Sequence, residues 1–220
     1  MEKSFWLKKW EENQIGFHNS EFHPLLVSHL GKLGLKTPSR IFVPLCGKSL
    51  DLIYLASLGH QVIGLELSEK AILSFFTENK LDFEKKVDGP YNRYSCKNLN
   101  IKILQGDFFQ LTTDYLGPID FIYDRASMIA LPSEMRKHYS EIIKKITKKG
   151  DQILLITTEY DSQKLIGPPF SVTEEEVNKL FKENFEIIFL ERPEKEAANP
   201  VFQEAEVMTT SRAIYRLIRK

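Results

Sequence analysis

The stretch Arg40-Ile41-Phe42-Val43-Pro44-Leu45-Cys46-Gly47-Lys48-Ser49-Leu50-Asp51, followed by Gln61-Val62-Ile63-Gly64-Leu65-Glu66-Leu67-Ser68-Glu69, decides the fold. Residues 40–44 read as a short apolar strand that Pro44 ends. Residues 49–58 read as a helix: Leu50, Ile53, Tyr54 and Ser57 recur at helical spacing, and Gly59 supplies the stop. Residues 61–67 form a second strand, and Ser68 is a good N-cap for a helix over 69–79. A strand, helix, strand, helix order of this kind predicts parallel strands joined by right-handed crossovers.

The same alternation extends outward. Strands are expected at 101–104, 120–124 and 152–157, and helices at 132–146, closed by Lys148-Lys149-Gly150, and at 173–181, capped by Thr173 or Ser171. Two late strands, 185–191 and 213–218, have no strong helix between them and are expected to pair antiparallel at one edge. Upstream, residues 4–13 read as an amphipathic helix with Trp6, Leu7 and Trp10 on one side. Residues 25–33 read as a second helix, stopped by Thr37-Pro38-Ser39. The expectation is one α/β domain over 1–220: a helical lid at 1–35 and a core at 40–220. That core is a Rossmann-like, seven-stranded, mostly parallel sheet with an antiparallel final strand and helices on both faces.

Bulk properties narrow the function classes. Thirty basic residues balance thirty acidic ones, which disfavours a general nucleic-acid binder. Cys46 and Cys96 form no C-x-x-C pair, so a reduced cytoplasmic protein is the simpler reading. Residues 1–12 lack the apolar core of a signal peptide, and no run approaches the roughly 18 apolar residues of a membrane span. His18, His23 and His29 lack the i, i+4 spacing of a helical metal pair, so no metal is expected.

Ligands of parallel sheets sit outside the carboxyl ends of the strands. Three readings of the loop after the first strand compete. Gly47-Lys48-Ser49 ends like a P-loop, but that motif needs glycine at 42, where Phe42 stands. A dinucleotide site needs three glycines, and the loop has one. S-adenosylmethionine (SAM), which carries no phosphate, needs fewer; an ordinary strand-helix turn is the bland alternative. Glu66, about twenty residues on, suits a pair of ribose hydroxyls. Trp6, Trp10 and Phe17 offer aromatic faces that attract a sulfonium cation by roughly 0.5–2 kcal/mol, although, taken by themselves, these residues read better as simple packing of the first helix. After the third strand, Asp107 can accept from an adenine amino group while Phe108 stacks on the ring; a plain strand-end turn is the competing reading. Arg125 can hold a carboxylate or an anionic acceptor, or it can pair with Asp124.

Together these residues resemble the thiopurine S-methyltransferase family, in its short bacterial form. The matching stretches are Phe5-Trp6 with Trp10, Gly16-Phe17-His18, residues 43–51, Gly59-His60, residues 62–69, residues 106–109, residues 123–126 and Gly167-Pro168-Pro169-Phe170-Ser171-Val172. The resemblance implies a class I SAM-dependent methyltransferase. It implies cofactor contacts from Trp6, Trp10, Leu45, Glu66, Asp107, Phe108 and Arg125, an acceptor pocket touched by Phe17 and Arg125, and a cover formed partly by 167–170. Some family members present an arginine to the acceptor between the last two strands, whereas 194–210 contains none here. The implied reaction is in-line methyl transfer from SAM to an ionised thiopurine or similar small aromatic thiol, releasing S-adenosylhomocysteine (SAH). Arg125 is the catalytic candidate, acting electrostatically. No base is assigned: His18 is nearest, but a lone histidine is more often structural. The alternatives are another small soft nucleophile (halide, sulfide, or a selenium or tellurium oxyanion) and a SAM-binding sensor without turnover. A cytoplasmic monomer with no nucleic-acid or membrane partner is the accompanying expectation.

Overall fold

The computed structural model describes residues 2–163, 165, 167–193, 196–197, 207 and 209–220. They separate into two compact units, residues 2–121 and 122–220.

The first unit contains α1 (Lys3–Glu11), α2 (Pro24–Leu30), β1 (Arg40–Val43), α3 (Asp51–Ser57), β2 (Gln61–Glu66), α4 (Glu69–Glu78), β3 (Phe83–Asp88), β4 (Tyr91–Cys96), β5 (Ile101–Gln105) and the short α5 (Thr113–Leu116). Its strands hydrogen-bond in the order β3-β4-β5-β2-β1. β2 runs parallel to both β1 and β5, with Val43 opposite Gly64 and Glu66 opposite Gln105, so the three strands end together. Ile41, Phe42, Leu52, Leu55, Leu65, Ile72, Phe75, Phe76 and Ile103 are fully buried around them. The Ser68 hydroxyl accepts the Ala71 N–H at 3.3 Å, the cap expected for α4.

The hairpin β3–β4 departs from the seven-strand expectation. β3 reads Phe-Glu-Lys-Lys-Val-Asp and is exposed along most of its length, so it lacks the apolar alternation by which strands are recognised. In β4 the buried residues are Tyr91 and Tyr94, three apart rather than two. The local signal was Gly89-Pro90, the two-residue turn between Asp88 and its partner Tyr91.

The second unit contains β6 (Phe121–Arg125, entering from the boundary), α6 (Ser133–Ile146), β7 (Gln152–Glu159), α7 (Glu174–Phe181), β8 (Phe185–Glu191), β9 (Glu196–Ala197) and β10 (Thr209–Arg219). Here the order is β6-β7-β10-β8, with β9 on β10. β10 is antiparallel to β7 and to β8, as expected for the late strands, but it lies inside the sheet and leaves β8 at the edge. Thr173 caps α7 by accepting the Glu176 N–H at 3.3 Å. Most of 194–210, where an acceptor arginine was sought, lies outside the described residues. Among the described residues no helix is long and apolar enough to cross a membrane.

One contact in the first unit is tight enough to test. A Cβ on Gly64 would lie 2.6 Å from Cys46 Sγ, in the middle of the parallel strands. Gly64→Ala is expected to destabilise by about 1–3 kcal/mol in urea unfolding. Adding Cys46→Ala should recover part of that loss; a strictly additive double variant would show that the clash is not the cause.

Candidate active site

The site of the first unit is built where β1, β2 and β5 end. After β1 the chain turns through Leu45 (φ +46°) and Gly47 (φ +54°). The left-handed region costs a residue such as leucine about 1–3 kcal/mol, so this turn is held by what surrounds it. The Cys46 N–H donates to Leu65 O at 3.0 Å, and Ser49 N–H donates to Cys46 O at 3.1 Å. The Gly47 N–H donates to Glu66 Oε2 at 2.8 Å, and the other carboxylate oxygen, Oε1, accepts the Ser68 N–H at 2.7 Å. Gly106 N–H donates to the Glu66 carbonyl at 2.9 Å, bringing in the turn after β5.

Glu66 is only 6% exposed, and among the described residues no cation pairs with it. Burial pushes its carboxyl above the usual range, and the Ser68, Gly47 and Leu67 amides pull it partly back. Each oxygen accepts one amide and keeps acceptor capacity, which matches the two hydroxyls of a ribose. Lys48 binds the Glu78 carboxylate at 2.7 and 2.8 Å on α4 and is not available to a phosphate. A diol acceptor beside a loop without a phosphate cradle fits SAM. Cys46, next to Glu66, has its thiol raised well above its ordinary value, first by burial and then by the Glu66 charge, so it remains a neutral thiol.

The N-terminal segment is fastened to these loops. Trp10 is 5% exposed, and a Cβ on Gly47 would lie 3.1 Å from its ring. Phe17, which is 39% exposed, meets Trp6 and Trp10 edge-on, with centroids at 5.8 and 5.5 Å. Lys3 pairs with Asp107 Oδ2 at 2.7 Å, Lys70 Nζ donates to the Glu11 carbonyl at 2.8 Å, and the His23 N–H donates to the buried Asp51 carboxylate at 2.8 Å. Asp107 also caps the following turn, its Oδ1 accepting the Phe109 N–H at 3.0 Å.

The Phe108 ring is 2% exposed and stacks on Phe42 in the core, with centroids at 6.5 Å and planes 12° apart. Phe109, half-buried, is the more open of the pair. Sequence reading also missed Tyr91 of β4, whose hydroxyl donates to the Asp107 carbonyl at 3.1 Å and whose ring leaves no room for a side chain at Gly106.

In the second unit, Arg125 closes β6, half-buried, and precedes Ala126 at φ +67°. Asp124 beside it is 3% exposed and accepts the Tyr139 hydroxyl at 2.7 Å through Oδ2. Burial raises its carboxyl from 3.8 to about 6, while hydrogen bonds from Tyr139, Ser127 and Met128 act in the opposite direction.

The fold is similar to that of TehB from Haemophilus influenzae (TM-score 0.65, 18% identity, covering 99% of this chain and 67% of that one). It is also similar to magnesium protoporphyrin IX methyltransferase (ChlM) from Synechocystis PCC 6803, solved with bound SAH (TM-score 0.66, 13% identity, covering 99% of each chain). The fold is that of class I SAM-dependent methyltransferases. The thiopurine S-methyltransferase (TPMT) family model matches residues 1–220. Enzymes named thiopurine S-methyltransferase from Shewanella baltica (strain OS223) and Pseudomonas aeruginosa (strain UCBPP-PA14) are 40% and 42% identical over 220 and 219 residues, with all of each chain covered. The chain belongs to the thiopurine S-methyltransferase family.

The Asp124 carboxyl gives a pH prediction. Its folded value lies above its unfolded one, so the folded protein holds the proton more tightly. Its contribution to stability is therefore full below about pH 4 and is lost as pH rises through about 6. In urea unfolding, Asp124→Asn should gain stability relative to the parent between those values and show a constant difference above them. A difference independent of pH would remove Asp124 as the titrating group.

Proposed function

We propose that this enzyme transfers the SAM methyl group to the sulfur of thiopurines or similar small aromatic thiols. The buried Glu66 carboxylate, held by the Gly47 and Ser68 amides and keeping acceptor capacity for a diol, carries the cofactor half of this reading. The thiopurine half is supported by the family and by the names of the relatives. When bound, SAM supplies a methyl group activated on a sulfonium sulfur.

The chain's own residues would act as follows. Glu66 accepts the ribose hydroxyls, while the strained Leu45 turn and the Asp107 turn flank the nucleoside. Trp10 and Trp6 close the N-terminal side with aromatic surface suited to a cation. Phe17 offers its exposed ring to the acceptor. Arg125 favours the ionised thiol over the neutral one. Aromatic thiols of this kind lose their proton to water near neutral pH, so no base is assigned and orientation is the main requirement. Residues 1–35 act as a lid on one catalytic domain. We further read the protein as a cytoplasmic monomer with no nucleic-acid or membrane partner. Equal numbers of acidic and basic residues and the free thiols of Cys46 and Cys96 support that reading.

Calorimetric titration with SAM and SAH, followed by a panel of acceptors with labelled SAM, tests the assignment. Thiols should be methylated faster than halide, sulfide, or selenium or tellurium oxyanions. A preference for one of those moves the acceptor class, and binding without transfer to any of them makes the protein a sensor. Glu66→Gln is expected to weaken SAH binding about 10- to 100-fold, the worth of one or two charge-assisted hydrogen bonds. Arg125→Lys should lower kcat/KM for thiols, since an ammonium does not reproduce a planar fork. An undiminished rate would exclude Arg125 from acceptor recognition.

A further inference from the structure

Two segments of the second unit follow strand ends: residues 126–131 after β6 and, after β7, residues 160–163 with 167–172. They are joined directly, because the Phe170 N–H donates to Ile129 O at 2.6 Å. The second segment is also closed on itself. Ser171 Oγ accepts the Tyr160 N–H at 3.1 Å and donates to the Tyr160 carbonyl at 3.0 Å, and the Tyr160 hydroxyl donates to the Pro169 carbonyl.

One helix reaches both. Arg136 on α6 is 4% exposed. Its Nη1 donates to Leu131 O at 2.8 Å, its Nη2 to Ser171 O at 3.4 Å, and its Nε and Nη2 form a two-point pair with Glu176 of α7 at 2.7 Å each. Three residues on, Tyr139 holds Asp124. The buried face of α6 therefore grips segment 124–131, which carries Arg125, at both of its ends. Burying a guanidinium is a poor way to gain stability, since apolar side chains of similar volume do as well or better. What its rigid fork provides is a fixed distance between the two loops, through Leu131 O and Ser171 O.

We propose that Arg136 is a positioning residue that sets the Arg125 segment against residues 167–170 and thereby determines recognition of the acceptor, not of SAM. This rests on the reading of Arg125 and 167–170 as acceptor-binding. The test compares the parent with Arg136→Lys, and with Glu176→Gln in case the lysine variant does not fold. Each protein is measured for SAH affinity by calorimetry, for kcat and KM with 6-mercaptopurine and thiophenol, and for hydrogen exchange at the Phe170 amide. The expected result is a KM raised about tenfold for the thiols, unchanged SAH affinity, and loss of protection at Phe170 with β10 amides unaffected. An unchanged KM, or SAH affinity falling in step with it, overturns the proposal. If the parent binds SAH but methylates neither thiol, the acceptor assignment fails by itself, and exchange at Phe170 then decides. Selective loss of protection supports the positioning role, and retained protection in both variants ends it.

Discussion

A carboxylate buried with no cation beside it among the described residues is an expensive thing for a protein to keep, and the first unit is organised around one. Glu66 ends β2 with its charge away from water, so each oxygen must be met by a donor. Gly47 and Ser68 supply backbone amides, one from the turn after β1 and the other from the entry to α4. The Glu66 carbonyl takes the Gly106 amide from the turn after β5. Three strand ends are thereby fixed by one residue, and each carboxylate oxygen keeps capacity for a further donor. The neighbouring Cys46 is kept neutral first by burial and then by the same charge, so the thiol packs against Gly64 as a small apolar group.

Strand-helix alternation was legible because its signals are local: apolar strands, Ser68 and Thr173 at helix starts, and turn residues between them. The places of Glu66 and of the loop before Lys48 at strand ends were legible for the same reason. The hairpin β3–β4 was not, because a charged, exposed strand carries no period of two. In Gly106-Asp107-Phe108-Phe109, two adjacent aromatics give no local reason to choose which enters the core; Phe42, from another strand, makes the choice. Lys3 and Asp107 meet only once the chain has folded. Arg136 was passed over because a basic residue on an amphipathic helix normally faces water, whereas here its partners come from three separate segments.

Lys48 shows how far a motif depends on its surroundings. Gly47-Lys48-Ser49 has the ending of a phosphate loop, yet the lysine is spent on Glu78 and the backbone turns through left-handed Leu45 instead of wrapping an anion. The same three residues thus serve a loop whose main partner is a buried acid. The strain at Leu45 is tolerated because the Cys46 and Gly47 amides that follow it are committed to Leu65 and Glu66.

The charged hairpin has a bearing on solution behaviour. β3 is the outer strand of its sheet, and a free strand edge is a template for joining a second sheet. Acidic and basic residues are equal in number and the pI is about 7.0, so near neutral pH molecules approach one another with little long-range repulsion. Protection against edge-to-edge growth then falls to a few local charges, Glu84, Lys85, Lys86 and Asp88, flanking the exposed Val87. Salt screens such charges over about 10 Å or less at ordinary ionic strengths, so the protection that these charges give this edge weakens as ionic strength rises.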